Sequence, residues 1–333
     1  MKIVLPQVFW NQQKLFELKQ KHPEFNFVTY NSPDEFKSNI HDADVISNMY
    51  QWTIECHKIA KNVKWLYFMS GGVTLIEELV HSKILISSIK SLFSVPGSEF
   101  AMGAMLMFSR RLNYITRQHP NEVPLQMWEN IPEPQNLAGK TVGIIGFGYM
   151  GQAIAKSASL LGMNVIATSR TDKKETRYLN SYYSAENIPT LLSLSDYVLL
   201  SIPITKLTEK YVDNKFLSHM KSTAILIDIS GRAGLFDWYS LVDAVNSKSI
   251  AGVLLQPPGK ELPGIPSPKS SFWKQDNVII SPMRITSESI LGQICDLFST
   301  NLKKFCVSFN ELFNFSSNTV SYTHLTLPTS DLV

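Results

Sequence analysis

The chain has 333 residues, enough for two domains that each bury a hydrophobic core. Its hydrophobic fraction of 44% and charged fraction of 18% are those of a globular protein. The formal net charge of +3 is too small, and the basic residues are too scattered, to indicate nucleic-acid binding. Because no apolar run reaches the ~20 residues of a membrane span, we expect neither a nucleic acid nor a membrane as a partner.

The cysteines and the N-terminal residues indicate the cellular compartment of the protein. Cys56, Cys295 and Cys306 form no disulfide framework and suit a reducing environment. Residues 2–5 predict a short first strand rather than a signal peptide. We therefore expect a cytoplasmic protein. We expect no metal site, because no group of His, Cys, Asp and Glu residues has the spacing of a ligand set.

Short apolar runs alternate with amphipathic stretches over residues 1–95, the pattern of an α/β domain. These runs predict four strands, at residues 2–5, 27–30, 45–47 and 65–69. Residues 97–115 are almost continuously apolar and predict one long buried helix. Because a helix that is apolar on every side needs cover on every side, this helix is also a candidate for a domain or dimer interface.

A glycine-rich turn lies between the strand predicted at residues 142–145 and the helix predicted at 152–162. Its three glycines have the G-x-G-x-x-G spacing. The first permits a tight turn, the second lets the backbone approach phosphates, and the third lets helix and strand pack closely. The N–H groups at the helix N-terminus then suit a pyrophosphate. The alternative is an ordinary strand–turn–helix unit. The predicted cofactor contacts in the turn are Gly146, Gly148, Tyr149, Met150 and Gly151.

The end of the next predicted strand, residues 164–168, bears on which dinucleotide binds. Sites for NAD usually carry an Asp or Glu there, which accepts from the ribose hydroxyl. This chain has Ser169, Arg170 and Thr171 instead. A guanidinium with two small hydroxyls suits a 2′-phosphate, so we predict a preference for NADP(H), with NAD(H) as the alternative cofactor. The other interpretation is a solvated loop whose charges bind nothing.

Further apolar runs predict a buried parallel sheet. They predict strands at residues 197–201, 224–230, 250–255 and 278–281, and residues 207–220 predict a helix between the first two. Ligands of such sheets bind beyond the carboxyl ends of the strands. The candidate site residues are therefore those that follow each strand.

Several segments together resemble the D-2-hydroxyacid dehydrogenase family, in its glyoxylate/hydroxypyruvate reductase-like branch. The resemblance covers nearly the whole chain, to about residue 314, and it rests on residues 70–73, 135–141, 203–208, 231–237 and 250–253. It implies an α/β fold of two doubly wound parallel-sheet domains, one flavodoxin-like and one Rossmann-like, with a cleft between them.

The resemblance also implies the domain boundaries. Residues 1–96 with 287–320 form the substrate domain, and residues 97–286 form the dinucleotide-binding domain. Residues 321–333 do not resemble the family. They resemble translated adapter sequence at a gene end, so we expect the natural terminus to be missing.

Site residues follow from the same resemblance. The backbone N–H groups of a small-residue loop hold the substrate carboxylate, and the residues are Gly71, Gly72 and Val73. Arg232 is the substrate-binding and catalytic arginine, because its guanidinium can bridge the carboxylate and the carbonyl of a 2-oxo acid. Glu261 is the catalytic glutamate. Additional cofactor contacts are implied at Pro203, Thr208, Ser230 and Gln256.

The pattern breaks at the family's proton donor, a histidine. Met283 occupies that position, and a thioether cannot donate a proton to the oxyanion that hydride transfer leaves. Two further departures are Gln256, where the family has Asp, and one extra residue in the segment before Arg232.

Two functions remain open from the sequence. The first is an NADP(H)-dependent oxidoreductase, a homodimer with impaired catalysis, that interconverts a small 2-oxo acid and a D-2-hydroxy acid. The second is a non-catalytic NAD(P)-binding protein that senses the cofactor or interacts with a partner. Arg232 and Glu261 favour the enzyme, and Met283 favours the binder. Water or Arg284 would protonate the product of the enzyme.

Overall fold

A computed structural model describes residues 1–49, 52–69, 77–80, 82–116, 132–169, 177–256, 262–282 and 288–307. The chain divides into two compact units, Met1–Phe93 with Ile285–Val333 and Ser94–Arg284. The division falls within a few residues of the boundaries predicted after residues 96 and 286. The roles assigned to the two domains stay predictions, and residues 321–333 lie outside the described residues.

Helices and strands mostly alternate along the chain. Up to residue 115 they are β1 (Lys2–Pro6), α1 (Gln12–Lys21), β2 (Asn26–Tyr30), α2 (Pro33–Asn39), β3 (Val45–Asn48), α3 (Ile54–Ile59), β4 (Trp65–Phe68), α4 (Glu77–Val80), β5 (Leu85–Ser88), α5 (Ser94–Ser109) and α6 (Leu112–Ile115). From residue 141 they are β6 (Thr141–Ile145), α7 (Tyr149–Leu160), β7 (Asn164–Thr168), β8 (Ser181–Tyr183), α8 (Ile188–Leu194), β9 (Tyr197–Leu200), α9 (Asn214–Ser218), β10 (Ile225–Asp228), α10 (Trp238–Asn246), β11 (Gly252–Leu255), β12 (Val278–Ile280) and α11 (Glu288–Val307).

The first unit contains a five-stranded parallel sheet in the order β2-β1-β3-β4-β5. All residues of β3 and β4 are buried, as the apolar runs predicted for a sheet covered on both faces. The last helix, α11, packs on this sheet through Phe298. The Phe298 ring lies 5.4 Å from the ring of Trp65 and 5.2 Å from that of Tyr67. Strand β5 was not predicted.

The second unit contains a seven-stranded parallel sheet in the order β12-β11-β10-β9-β6-β7-β8. The chain runs outward from β6 through β7 to β8, returns to β9 on the other side of β6, and continues to β12. The strand order therefore reverses between β6 and β9, and we call this place the topological switch point. Both sheets are doubly wound, so the predicted fold class is confirmed.

The helix predicted over residues 97–115 is interrupted in the structure. Helix α5 ends at Ser109, and Arg111 adopts a left-handed backbone with φ of 60° before α6 begins. The Nε atom of Arg111 donates to the carbonyl oxygen of Glu133 at 3.2 Å, which holds the break. Hydrophobicity alone predicted continuity, because both helices are apolar and no glycine or proline marks the break.

The helix predicted over residues 207–220 is wrong for most of its length. Thr208 closes a turn, Lys210 is left-handed with φ of 52°, and Val212 forms an isolated parallel bridge with Phe236. Only α9 is helical, and the side chain of Asp213 caps it by accepting from the Phe216 N–H at 2.8 Å.

The described residues contain neither a membrane-spanning helix nor a group of side chains that could hold a metal ion. No helix among them is long and apolar enough to cross a membrane. In the same part of the chain, no three His, Cys, Asp or Glu side chains are grouped so that they could hold a metal ion.

Candidate functional site

The candidate site lies at the carboxyl ends of the strands of the second unit. Because all seven strands are parallel, the segments that follow them emerge at one edge of the sheet. The structure brings most of the described candidate residues to this edge, on five neighbouring strands. They are Gln256 after β11, Ser230 and Arg232 after β10, Pro203 and Thr208 after β9, the glycine turn after β6, and Ser169 after β7.

The first glycine of the turn is required by its surroundings. Gly146 is buried, has φ of +103°, and donates its N–H to the carbonyl oxygen of Thr168 at 2.9 Å. A Cβ atom at this position would lie 2.4 Å from the carbonyl oxygen of Ser201. The turn thus packs against the end of β7 on one side and the segment after β9 on the other, at the topological switch point.

The second and third glycines differ in what surrounds them. A Cβ on Gly151 would lie 2.2 Å from the carbonyl oxygen of Gly146, so this glycine allows the close packing of α7 on the turn. Gly148 is exposed and occupies the N-cap of α7, and a Cβ there would have no atom of the described residues within 4 Å. In the same part of the chain, no side chain caps this helix. The open space in front of a helix N-terminus fits a dinucleotide pyrophosphate.

The two residues between these glycines point to different surroundings. Tyr149 is 43% exposed. Met150 packs against α5, since its Sδ atom would lie 2.2 Å from a Cβ on Gly97. Of the two predicted cofactor contacts, the Met150 side chain therefore supports the helix pair, while Tyr149 is accessible.

Ser169 directly follows β7, the strand whose end was used to predict the cofactor preference. Its hydroxyl is 2.8 Å from the hydroxyl of Tyr182, which also donates to the Ser169 carbonyl oxygen at 3.1 Å. The neighbouring Thr168 has a buried Oγ1 atom without a hydrogen-bond partner among the described residues. Tyr182 was not identified from the sequence, because it comes from β8, a strand that was not predicted.

The segment after β9 is a compact turn held by Thr208. Its Oγ1 atom accepts from the Thr205 N–H at 2.7 Å and donates to the Pro203 carbonyl oxygen at 2.8 Å. The turn contacts the next segment along the edge, because a Cβ on Gly234 would lie 2.4 Å from Cδ1 of Ile204. The Thr208 side chain thus holds the shape of the turn that contains Pro203.

Residues 228–232 form the segment that we call the Arg232 turn. The Asp228 side chain at the end of β10 is buried, and its Oδ1 atom accepts from the N–H groups of Ser230 at 2.8 Å and Gly231 at 3.2 Å. The Ser230 hydroxyl also donates to Oδ1 and accepts from the Arg232 N–H at 3.2 Å. Arg232 itself is exposed.

Asp228 is a functional candidate that was not identified from the sequence. Burial raises the pKa of its carboxyl group, while the hydrogen bonds from Ser230 and Gly231 and the charge of Arg232 act in the opposite direction. The available signal was an aspartate two residues before a serine at a strand end, which is typical of a side chain that bonds the backbone of its own turn.

Gln256 supports the Arg232 turn from the neighbouring strand. Its Nε2 atom donates to the Ile229 carbonyl oxygen at 3.4 Å. Gly231, with φ of +66°, packs so closely that a Cβ would lie 2.8 Å from Oε1 of Gln256. Gly231 therefore combines a left-handed backbone with close packing on Gln256, and the extra residue predicted before Arg232 stays a prediction.

Several predicted site residues lie outside the described residues, and their roles stay predictions. They are Gly71, Gly72, Val73, Arg170, Thr171, Glu261 and Met283.

Residues 102–283, more than half of the chain, match the family model described as D-isomer specific 2-hydroxyacid dehydrogenase, NAD binding domain. A glyoxylate reductase of Pyrococcus horikoshii is 40% identical over 145 residues, which are 43% of this chain and 41% of that protein. The chain thus covers less than half of the length of this relative.

Two further matches extend over more of the chain. A hydroxypyruvate reductase of Thermotoga maritima is 28% identical over 292 residues, covering 83% of this chain and 86% of that protein. The crystal structure of D-lactate dehydrogenase from Aquifex aeolicus complexed with NAD and lactic acid aligns with a TM-score of 0.76 and 18% identity, over 94% of this chain and 97% of that one. This structural likeness shows the fold. The family resemblance stated from the sequence is confirmed: the chain belongs to the D-isomer specific 2-hydroxyacid dehydrogenase family, through an NAD binding domain at residues 102–283.

Proposed function

We propose that the protein is an NADP(H)-dependent oxidoreductase that interconverts a small 2-oxo acid and a D-2-hydroxy acid. The observation that carries the proposal is the carboxyl edge of the seven-stranded sheet. The open N-terminus of α7 at Gly148 and the exposed Arg232 emerge there from strands of one parallel sheet. The relatives named glyoxylate reductase and hydroxypyruvate reductase support glyoxylate and hydroxypyruvate as the first substrates to test.

The role that we propose for each residue follows from the chemistry of its side chain or backbone. A nicotinamide dinucleotide supplies a hydride when it is bound. Gly146, Gly148 and the first turn of α7 would hold its pyrophosphate. Arg232 would bind the substrate carboxylate and polarise the adjacent carbonyl, and residues 71–73 would hold the same carboxylate by backbone N–H groups. Glu261 is proposed as the second catalytic residue.

The preference for NADP(H) rests on three consecutive residues after β7. Ser169 lies beside the glycine turn, since the Gly146 N–H bonds to Thr168, the residue before it. Arg170 follows in the sequence and would pair with a 2′-phosphate, as would the hydroxyl of Thr171. NAD(H) is the alternative cofactor.

Impaired catalysis is proposed from Met283. Its thioether supplies no proton, so the oxyanion would take one from water or Arg284. A positioned acid typically contributes about 10²- to 10⁴-fold to the rate, and we expect slow turnover for this reason. The same residue favours the second candidate, a non-catalytic NAD(P)-binding protein that senses the cofactor or interacts with a partner.

One experiment separates the two candidates. NADPH oxidation is followed with a panel of 2-oxo acids for the wild-type protein, for Met283→His, and for Met283→Gln as a polar control that carries no titratable group. If the site lacks only its acid, Met283→His should raise turnover by about 10²-fold or more and Met283→Gln should not. If all three proteins bind NADPH and none turns over any substrate, the reductase is rejected and the non-catalytic NAD(P)-binding protein remains.

We also propose that the protein is a cytoplasmic homodimer. The buried free thiols of Cys56 and Cys295 suit a reducing compartment. The apolar side chains of Val95, Leu106 and Leu112 are exposed by 63%, 39% and 45%, and a second copy would cover them. Sedimentation equilibrium across a range of concentrations tests the dimer, and a single monomeric species would exclude it.

A further inference from the structure

The Arg232 turn contains a hydrogen-bonded chain that links a buried carboxylate to the backbone of Arg232. We infer that Asp228 and Ser230 are positioning residues, which set the orientation of Arg232 for the carboxylate of a 2-oxo acid. The inference rests on the proposed function, and it assigns the Ser230 side chain to substrate recognition rather than to the cofactor contact implied by the family resemblance.

The Arg232 turn closes on a single oxygen atom of Asp228. Oδ1 of Asp228 accepts three hydrogen bonds, from the N–H and hydroxyl of Ser230 and from the N–H of Gly231. The side chain is only 2% exposed, so water does not replace these bonds freely. Removing the acceptor would take away the shared partner of these three donors, which loosens the turn.

The hydroxyl of Ser230 links this carboxylate to Arg232. It donates to Asp228 and accepts from the Arg232 N–H at 3.2 Å, and it therefore transmits the position of the carboxylate to the backbone of Arg232. Arg232 has φ of −119° and ψ of 86°, outside the regular helix and strand regions. The hydrogen bond to the Arg232 N–H therefore helps to fix the backbone from which the Arg232 side chain projects.

The neighbouring strand, β11, also supports the turn. Gln256 donates to the Ile229 carbonyl oxygen and packs against Gly231. The turn is thus held between its own buried aspartate and the side chain of the next strand.

The chemistry explains why this orientation matters for the substrate. A guanidinium binds a carboxylate best through two parallel hydrogen bonds, and this geometry depends on the direction of the side chain. Backbone displacement at Arg232 should therefore weaken binding of a 2-oxo acid while leaving the glycine turn unchanged.

The test measures binding and turnover separately. Oxalate is titrated calorimetrically into the full chain saturated with NADP+, the Kd of NADPH is measured alone, and KM and kcat are determined with glyoxylate. The variants are Ser230→Ala, Ser230→Thr and Asp228→Asn. The matched control is Ser240→Ala, because the Ser240 hydroxyl donates to Asp237 Oδ2 at 2.6 Å in the same type of pair, in α10 and away from Arg232.

Ser230→Ala should raise the Kd of oxalate and the KM of glyoxylate by about tenfold, with NADPH affinity unchanged. Ser230→Thr keeps the hydroxyl and should retain wild-type values, as should Ser240→Ala. Asp228→Asn retains an acceptor oxygen and is expected to weaken oxalate binding less than Ser230→Ala does.

Loss of NADPH affinity without loss of oxalate affinity in Ser230→Ala would overturn the inference and support the cofactor contact. Unchanged oxalate binding in that variant, or no oxalate binding by the wild-type protein, would also overturn it. If the wild-type protein binds oxalate, Ser230→Ala weakens this binding and no 2-oxo acid is turned over, the proposed reductase fails while the positioning assignment stands.

Discussion

Gly151 approaches the carbonyl oxygen of Gly146 so closely that a Cβ on Gly151 would lie 2.2 Å from that oxygen. The distance is far below a van der Waals contact, and the obstructing atom is backbone, which cannot rotate away. Gly148 lies between them in the same turn, and a Cβ there would meet no atom within 4 Å. One glycine is thus required by the packing of the protein, whereas the other leaves space that a ligand would use.

This difference predicts opposite results for two alanine substitutions. Gly151→Ala should lower the free energy of unfolding by about 1–3 kcal/mol, because the turn must move away from α7. Gly148→Ala should change it by less than about 1 kcal/mol yet weaken NADPH binding by about tenfold or more. Urea unfolding and NADPH titration measure the two quantities.

The control for both glycines is Gly103→Ala in α5, where a Cβ would also meet no atom within 4 Å. It should stabilise the protein by about 0.5–1 kcal/mol and leave NADPH affinity unchanged. Equal NADPH affinity in Gly148→Ala and the wild-type protein would exclude the pyrophosphate from this turn.

The cofactor preference predicts a selective effect of Arg170. Arg170→Ala should weaken NADPH binding by about 10- to 100-fold and leave NADH binding unchanged, because only NADPH carries the 2′-phosphate. Fluorescence titration with both cofactors measures the ratio. Arg110→Ala, which removes an exposed arginine after α5, is the control. Comparable affinities of the wild-type protein for NADH and NADPH would contradict the role of Arg170.

The aromatic cluster around α11 predicts a large stability effect. Phe298 is fully buried, and its ring lies 5.4 Å from those of Trp10 and Trp65. Phe298→Ala should lower the free energy of unfolding by about 3–5 kcal/mol, because it removes these contacts and leaves a cavity. Phe16→Ala in α1 removes a ring that is 62% exposed and should cost less than about 0.5 kcal/mol. Similar midpoints in urea for the two variants would contradict the packing of α11 on this sheet.

His22 predicts a dependence of stability on pH. Burial lowers the pKa of His22 below its ordinary value of 6.5, while Glu24 acts in the opposite direction. Its Nε2 atom lies 3.1 Å from the Ser299 hydroxyl of α11. Above pH 6.5 the His22 ring is mostly neutral in both the folded and the unfolded protein. As the pH falls below 6.5, the unfolded chain takes up the proton before the folded protein does. The free energy of unfolding should therefore fall as the pH falls through this range.

The measurement is urea unfolding at several pH values between about 7 and 5. His22→Gln should show a smaller decrease than the wild-type protein. An unchanged slope in His22→Gln would mean that this histidine takes no part in the pH dependence.

Much of the sheet architecture could be predicted because buried parallel strands are continuous apolar runs. Strand β7 was predicted with the bounds that the structure gives it, Asn164–Thr168, and the glycine turn was placed correctly between β6 and α7. Strands β5 and β8 were not predicted, since half of β5 is serine and β8 has no aliphatic side chain.

The sequence by itself determined the fold class, because buried parallel strands are apolar runs, and it determined the glycine turn, because its three glycines have a fixed spacing. The family followed from the resemblance of several segments along the chain. Only the tertiary structure decided how the Arg232 turn is supported from outside, because Gln256 comes from the end of a neighbouring strand, whereas the bonds of Asp228 and Ser230 lie within the turn itself. It also decided that residues 97–115 break at Arg111, where a bond to Glu133 stabilises a left-handed backbone that local propensity disfavours. Hydrophobic periodicity predicts which face of a helix or strand is buried. The contacts of Gln256 and Arg111 depend instead on residues that are distant in the sequence and become neighbours only in the folded chain.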